Sequence, residues 1–283
     1  MFIHYLYPTM LFKIYQWFQA LSLDVVAGSI ILSLAIAKYL GVDLESSILV
    51  SLGIAVWIIY SFDHLLDARK VKKTASSFRH RIYQKYFKKL TIACFIATSV
   101  EIFMLFQIPS TLLYNGLFGI LFVALYFVML RTKTFWLKET FVAVGYTMGV
   151  FIGPLSLLNI GLSISQCFLI AQISLIAFSN LLLFSWFDFP QDKTDGHYSA
   201  VFHFGLEKTK RLVIWLIVVG MFLCCVQGFL TDESGRVFQF VLLLMNAILF
   251  GVIYKSATFQ KIEGYKAISD GIFYLPAFYL LIN

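Results

Sequence analysis

The stretch LLLFSWFDFPQDKTDG, residues 181–196, closes an apolar run that begins near residue 165 and breaks off at Asp188. A run of about 17–25 apolar residues crosses the hydrocarbon core of a bilayer as a helix, so 165–187 is expected to be a membrane span that ends on an acid. The arrangement recurs. Asp188 and Asp192 are four residues apart, and the same spacing joins Asp63 and Asp67 at the end of an earlier apolar run, 46–62. Residues four apart share one face of a helix, with Cβ atoms roughly 5–6 Å from each other. A carboxylate at the end of a membrane helix is costly unless it meets water, a partner or a cation. Two pairs of like geometry suit a divalent cation.

Outward from these two stretches the chain has the same character. Of 283 residues 60% are hydrophobic and only 13% charged, a composition outside that of soluble domains. Nine apolar stretches read as spans: 22–40, 46–62, 89–106, 111–130, 139–158, 165–187, 211–230, 237–254 and 267–282. The fold class expected is therefore an all-α integral membrane protein, a nine-transmembrane-helix bundle. Short cytoplasmic loops hold the excess of Lys and Arg, and 20 of the 22 basic residues fall on one side of such a bundle. Loop 63–89 holds nine of them, among them Arg69, Lys70, Arg79, Arg81 and Lys85; loop 188–211 holds Lys193, Lys208, Lys210 and Arg211. The N-terminus is then cytoplasmic and the C-terminus outside. The net charge of +7 reads as topology and attraction to anionic membrane lipid, with no support for a nucleic-acid partner and no protein partner inferable.

No linker divides the chain, so 1–283 reads as a single transmembrane domain. Its first part, 1–21, has only Lys13 as a charged residue, lacks the features of a secretory signal, and reads as an interfacial segment. Cys94, Cys167, Cys224 and Cys225 fall inside spans without metal or disulfide spacing. Gly145, Gly149 and Gly153 form a small-residue stripe for close helix packing. Tyr146 and Asn180 read as interior contacts. The two acidic stretches are four spans apart, an even number, so both open on the cytoplasmic side, as expected of two parallel repeats that each supply half of one site.

Four of the nine aspartates lie in these two pairs, and His64, His80, His197 and His203 share the same loops. Mg²⁺ takes one or two carboxylates and fills its remaining positions with water and phosphate oxygens. Two facing pairs can hold Mg²⁺ against a diphosphate, with Arg and Lys side chains neutralising the rest of its charge. The plain alternative is a pair of solvated helix ends whose acids pair with basic loop residues. Neither loop has a metal-ligand histidine spacing.

The second stretch resembles the second acidic motif of the UbiA superfamily of intramembrane prenyltransferases. Asp188, Asp192, Gly196, Ser199 and Gly205 agree with that pattern at all five positions, and Phe187 to Pro190 is similar to its menaquinone-type and archaeal lipid members. The first motif, Asn-x-x-x-Asp-x-x-x-Asp in the family, stands here as Asp63, Asp67 and Val71. Three departures are visible: Val71 replaces a carboxylate, Tyr198 replaces a basic residue, and no proline follows Arg79 or Arg81.

The resemblance implies a UbiA prenyltransferase-like bundle and an Mg²⁺-dependent transfer of a prenyl group from a prenyl diphosphate to an aromatic or lipid acceptor of unknown identity. Asp63, Asp67, Asp188 and Asp192 would be the catalytic, metal-holding residues, and Arg69, Lys70, Arg79 and Lys193 the diphosphate contacts. The location expected is a prokaryotic cytoplasmic membrane. Two alternatives are carried forward. One is a non-catalytic isoprenoid-binding homologue, which Val71 and Tyr198 favour. The other is a cation- or proton-coupled membrane transporter, for which Glu101 is the acid deep enough in a span.

Overall fold

A computed structural model describes residues 10–71, 74–75, 77–129, 137–158, 161–196, 198–262 and 264–282. Residues 1–9 of the expected interfacial segment, Lys72, Lys73, Arg131, Lys133 and His197 lie outside these. Among the described residues every regular element is helical: α1 Met10–Ala20, α2 Leu23–Leu40, α3 Ser46–Lys70, α4 Phe78–Lys85, α5 Phe87–Met104, α6 Ser110–Met129, α7 Lys138–Ser156, α8 Ile164–Asp195, α9 Ala200–Phe204, α10 Leu206–Leu230, α11 Glu233–Tyr254, α12 Ser256–Ile262, α13 Tyr265–Gly271 and α14 Pro276–Leu280. A 3-10 turn, Ile272–Tyr274, joins the last two.

Six helices, α2, α3, α6, α8, α10 and α11, are long and apolar enough to cross a membrane. The other three expected spans fall on α5, on α7 and on the broken α13–α14 segment. α5 carries Lys88, Lys89 and Glu101, and α7 opens with Lys138 and Glu139. The chain is an integral membrane protein. Two boundaries differ from the sequence expectation: α3 and α8 continue to Lys70 and Asp195, so both acid pairs ride on helix and not on loop. Hydropathy falls at Asp63 and Asp188, but a span that enters water keeps its backbone hydrogen bonds. Arg69 and Lys70 in the last turn of α3 complement the negative end of its dipole. Gly196, at φ 75, ends α8 in the left-handed conformation that glycine adopts without strain.

Lipid is as apolar as a leucine side chain, so packing and interhelical hydrogen bonds hold such a bundle together. α8 lies between α7 and α10, and α10 packs on α11. Leu169, Ile173, Ile176 and Leu183 of α8 meet Leu242, Met245 and Leu249 of α11 in the core. Gln172 donates to Gln239 at 2.9 Å, and Gln227 to Tyr39 at 3.0 Å, contacts that contribute about 0.6 kcal/mol each in such settings. The glycine stripe packs as expected: a Cβ on Gly153 would lie 3.0 Å from Ile48, and one on Gly145 would lie 3.4 Å from Phe122. On the outside, Phe95, Tyr114 and Phe118 are exposed, an apolar surface suited to lipid.

At the basic end, α1 rests on α2 and α4, with Trp17 edge-on to Phe78 at 6.3 Å. Ser77 caps α4 by accepting from the His80 N–H at 3.2 Å. The ends of α3 and α8 and the starts of α2, α7 and α13 gather here, and the acids sit among them.

Candidate functional site

Asp63 and Asp67, one turn apart on α3, share a cation from another helix. Lys138 Nζ, at the first residue of α7, lies 3.3 Å from Asp63 Oδ2 and 3.2 Å from Asp67 Oδ2. Tyr126 of α6 donates to Asp63 Oδ1 at 3.0 Å, and Lys70 Nζ is 3.0 Å from Asp67 Oδ1. The three side chains of the Lys138 cluster are mostly buried, so removing the lysine would leave two carboxylates without the cation they share, a loss of about 3–5 kcal/mol.

Asp188 of α8 has its own partners on α13. Tyr265 donates its hydroxyl to Asp188 Oδ1, and Lys266 Nζ lies 3.1 Å from the same oxygen. Tyr265 is fixed by stacking on Phe187, with ring centroids 4.3 Å apart and planes 11° from parallel. Asp192, one turn on, lies within electrostatic reach of Asp188, Lys138, Glu139 and Lys266.

The two acidic helices meet at the head of α7. While Lys138 binds the α3 pair, the next residue binds α8: Glu139 Oε1 accepts from Ser185 Oγ at 2.5 Å and from the Ala200 backbone N–H at 2.9 Å. Ser185 is three residues before Asp188. Adjacent residues of one helical turn therefore tie the Asp63/Asp67 helix to the Asp188/Asp192 helix, with Lys138 facing acids from both. Glu139→Ala would leave the Ala200 N–H without its acceptor, costing about 1–3 kcal/mol. The expected result is a lower melting temperature, while Glu139→Gln, which keeps an acceptor oxygen, loses less of it.

The residues expected from sequence fall in different places. Lys70 touches Asp67. Arg79, at the head of α4, lies within electrostatic reach of Asp24, Asp270 and His64. Arg69 and Lys193 are exposed and form no ion pair among the described residues. Val71 ends α3, its carbonyl accepting from Gln84 at 3.1 Å, and Tyr198 is exposed beside Phe202. Sequence reasoning missed Lys138, Lys266, Tyr126 and Tyr265 as partners of the acids. Glu101 accepts from Ser51 Oγ at 2.5 Å, an interhelical pin between α5 and α3.

Among the described residues no three acid, histidine or cysteine side chains close into a metal cage. Two carboxylate pairs of hard oxygen donors nevertheless fit Mg²⁺, which takes few protein ligands and completes its shell with phosphate and water.

Solved structures share the fold of this all-helical membrane bundle. A UbiA homologue from Archaeoglobus fulgidus bound to GPP and Mg²⁺ superposes with a TM-score of 0.67 at 12% identity, over 94% of this chain and 100% of that one. A UbiA homologue from Aeropyrum pernix K1 gives 0.68 at 10% identity, over 91% and 97%. A digeranylgeranylglyceryl phosphate synthase structure gives 0.54 at 14% identity, over 94% and 98%. No family model and no curated protein matches the chain in sequence. The chain has the UbiA fold, the one that its second acidic motif implies.

Proposed function

We propose that this protein is an Mg²⁺-dependent prenyltransferase that carries a prenyl group from a prenyl diphosphate to an acceptor within the membrane. The observation behind this reading is the head of α7, where Lys138 joins Asp63 and Asp67 and Glu139 fixes the helix of Asp188 and Asp192. The similarity to a homologue bound to GPP and Mg²⁺ supports it. The site would open on the cytoplasmic side, where the basic loops lie.

In this reading Asp63, Asp67, Asp188 and Asp192 would hold Mg²⁺. Mg²⁺ supplies Lewis-acid stabilisation of the charge that develops on a departing diphosphate. Lys138 and Lys266 exchange part of their pairing with the carboxylates for phosphate oxygens, with Lys70 and Arg79 as further contacts. Tyr126 and Tyr265 hold Asp63 and Asp188 in place, which preserves the geometry that makes such stabilisation effective. The prenyl tail would extend into the aromatic-rich bundle, out of reach of water. Glu101, on which a transporter reading would depend, is engaged by Ser51.

The test is a thermal shift on the purified protein. A ligand that binds only the native state at about 100 times its Kd stabilises it by roughly 2.7 kcal/mol. GPP with Mg²⁺ is expected to raise the melting temperature, and neither alone to match the pair. Mg²⁺-dependent pyrophosphate release then separates an enzyme from a binding homologue. No stabilisation with any prenyl chain length would overturn the reading.

A further inference from the structure

The basic end of the bundle carries a patch that the acid site does not use. From Ala68 to Val100 the sequence holds nine basic residues and no acid. The last three of them are gathered where two helices join: Lys85 ends α4, and Lys88 and Lys89 stand in the first turn of α5. All three are exposed. Lys85 Nζ lies 5.2 Å and Lys89 Nζ 6.0 Å from the centroid of one ring, that of Tyr86. The ring attracts each ammonium, but like charges four residues apart repel. None of the three lysines forms an ion pair with an acid among the described residues. An anion from outside the chain would relieve the repulsion.

The surroundings of the lysines say which anion. Tyr86 is backed by Trp17 of α1, with ring centroids 6.0 Å apart, and Trp17 also meets Phe78, the first residue of α4. Trp17 remains 41% exposed. Trp and Tyr concentrate at the boundary between membrane and water. Past the lysines the same face of α5 is apolar and bare: Ile92, Phe95 and Ile96 follow Lys88 and Lys89 at spacings of three and four, and are 60%, 77% and 60% exposed. Residues so spaced share one face of a helix.

Charge, aromatic collar and apolar track therefore follow one another in the order of a phospholipid. A soluble acidic protein would match the lysines, but it would meet at once a stripe that a membrane span keeps in hydrocarbon. A free phosphate would leave that stripe unused.

We infer that α1, α4 and the start of α5 form a docking site for an anionic phospholipid of the adjoining leaflet, its phosphate among Lys85, Lys88 and Lys89 and an acyl chain along Ile92 and Phe95. The inner face of α4 carries the effect inward. There the Tyr83 hydroxyl donates to Ser61 Oγ at 3.1 Å, two residues before Asp63, so a lipid that holds α4 in place also steadies α3. The docking requires no prenyl substrate and stands apart from the transferase reading.

The experiment uses the full chain in phosphatidylcholine nanodiscs with rising fractions of phosphatidylglycerol, and counts the retained lipid by native mass spectrometry. Phosphatidylglycerol should be retained in preference, and the melting temperature should rise with its fraction. A basic residue near an anionic surface contributes about fivefold in affinity, so Lys85→Gln, Lys88→Gln and Lys89→Gln combined should weaken retention about 100-fold and abolish the thermal shift. Lys208→Gln, Arg211→Gln and Lys255→Gln combined remove the same charge from exposed positions on other helices and should change little. Should the first triple variant fail to fold, salt tests the wild type: going from 0.1 to 1 M shortens the screening length from about 10 to 3 Å and should release the lipid. Equal retention of the two lipids, equal losses in both triple variants, or salt-insensitive retention would overturn the assignment. So would displacement of the lipid by an equal concentration of glycerol phosphate, which would mark a free phosphate site, or binding of polyglutamate without any preference between the lipids, which would mark a soluble acidic partner.

Discussion

Lys138→Met should be the most damaging single change at the basic end of the bundle. It removes the ammonium that Asp63 and Asp67 share and leaves two mostly buried carboxylates facing each other one turn apart. Breaking a pair in this way costs about 3–5 kcal/mol, so the melting temperature should fall by several degrees. Prenyl transfer should fall by about 10³-fold, the scale of losing a charge aimed at a departing group. The two effects should then separate. Mg²⁺ can occupy the vacated place between the carboxylates, so added Mg²⁺ should restore much of the melting temperature and little of the transfer rate. A variant as stable and as active as the wild type would mean that Lys138 is only a topological charge.

Asp67→Ala and Asp192→Ala form the second large prediction, and their value lies in the contrast. Each should abolish Mg²⁺-dependent transfer, with about a 10³-fold loss or more, while the protein folds in detergent. Their stabilities should differ. Asp67 holds Lys138 and Lys70, and its removal takes an ion pair from each lysine and leaves Lys138 to Asp63, so the melting temperature should fall. Asp192 stands near Asp188 and forms no ion pair among the described residues, so its removal relieves repulsion and should leave the melting temperature unchanged or higher. Equal losses of rate with opposite effects on stability would mark both carboxylates as metal-holding groups and not as structural pins. Retained turnover in either variant would count heavily against that role.

Much of this architecture is written in the hydropathy of the chain. The apolar runs before Asp63 and Asp188, and the four-residue spacing inside each pair, place four carboxylates on two helix faces without any knowledge of packing. Composition says less about where a helix ends, because a span leaving the membrane loses its apolar signal before it loses its hydrogen bonds; α3 and α8 therefore outrun their expected limits. The partners of the acids were the least legible. Lys138 reads in sequence as one of a few basic residues in a short loop, and the same count that fixes topology hides its chemistry. The local signal that could have singled it out is its neighbour: Lys138 and Glu139 stand together at the mouth of an apolar run, and an acid there needs a partner. Asp24 and Asp270 are lone acids near opposite ends of the sequence, joined only by the seating of α2 against α13. Arg69 and Lys193 lay close to the acids in sequence, but their side chains are exposed and form no ion pair among the described residues.

The central claim is that two acid pairs grip one metal-bound diphosphate at the head of α7. Crystals grown with GPP and Mn²⁺ in place of Mg²⁺ would test it through the anomalous signal of the metal. The account predicts metal peaks beside Asp63/Asp67 and beside Asp188/Asp192, with diphosphate density between them in contact with Lys138. Metal and diphosphate bound elsewhere, or density against one pair with the other untouched, would contradict it.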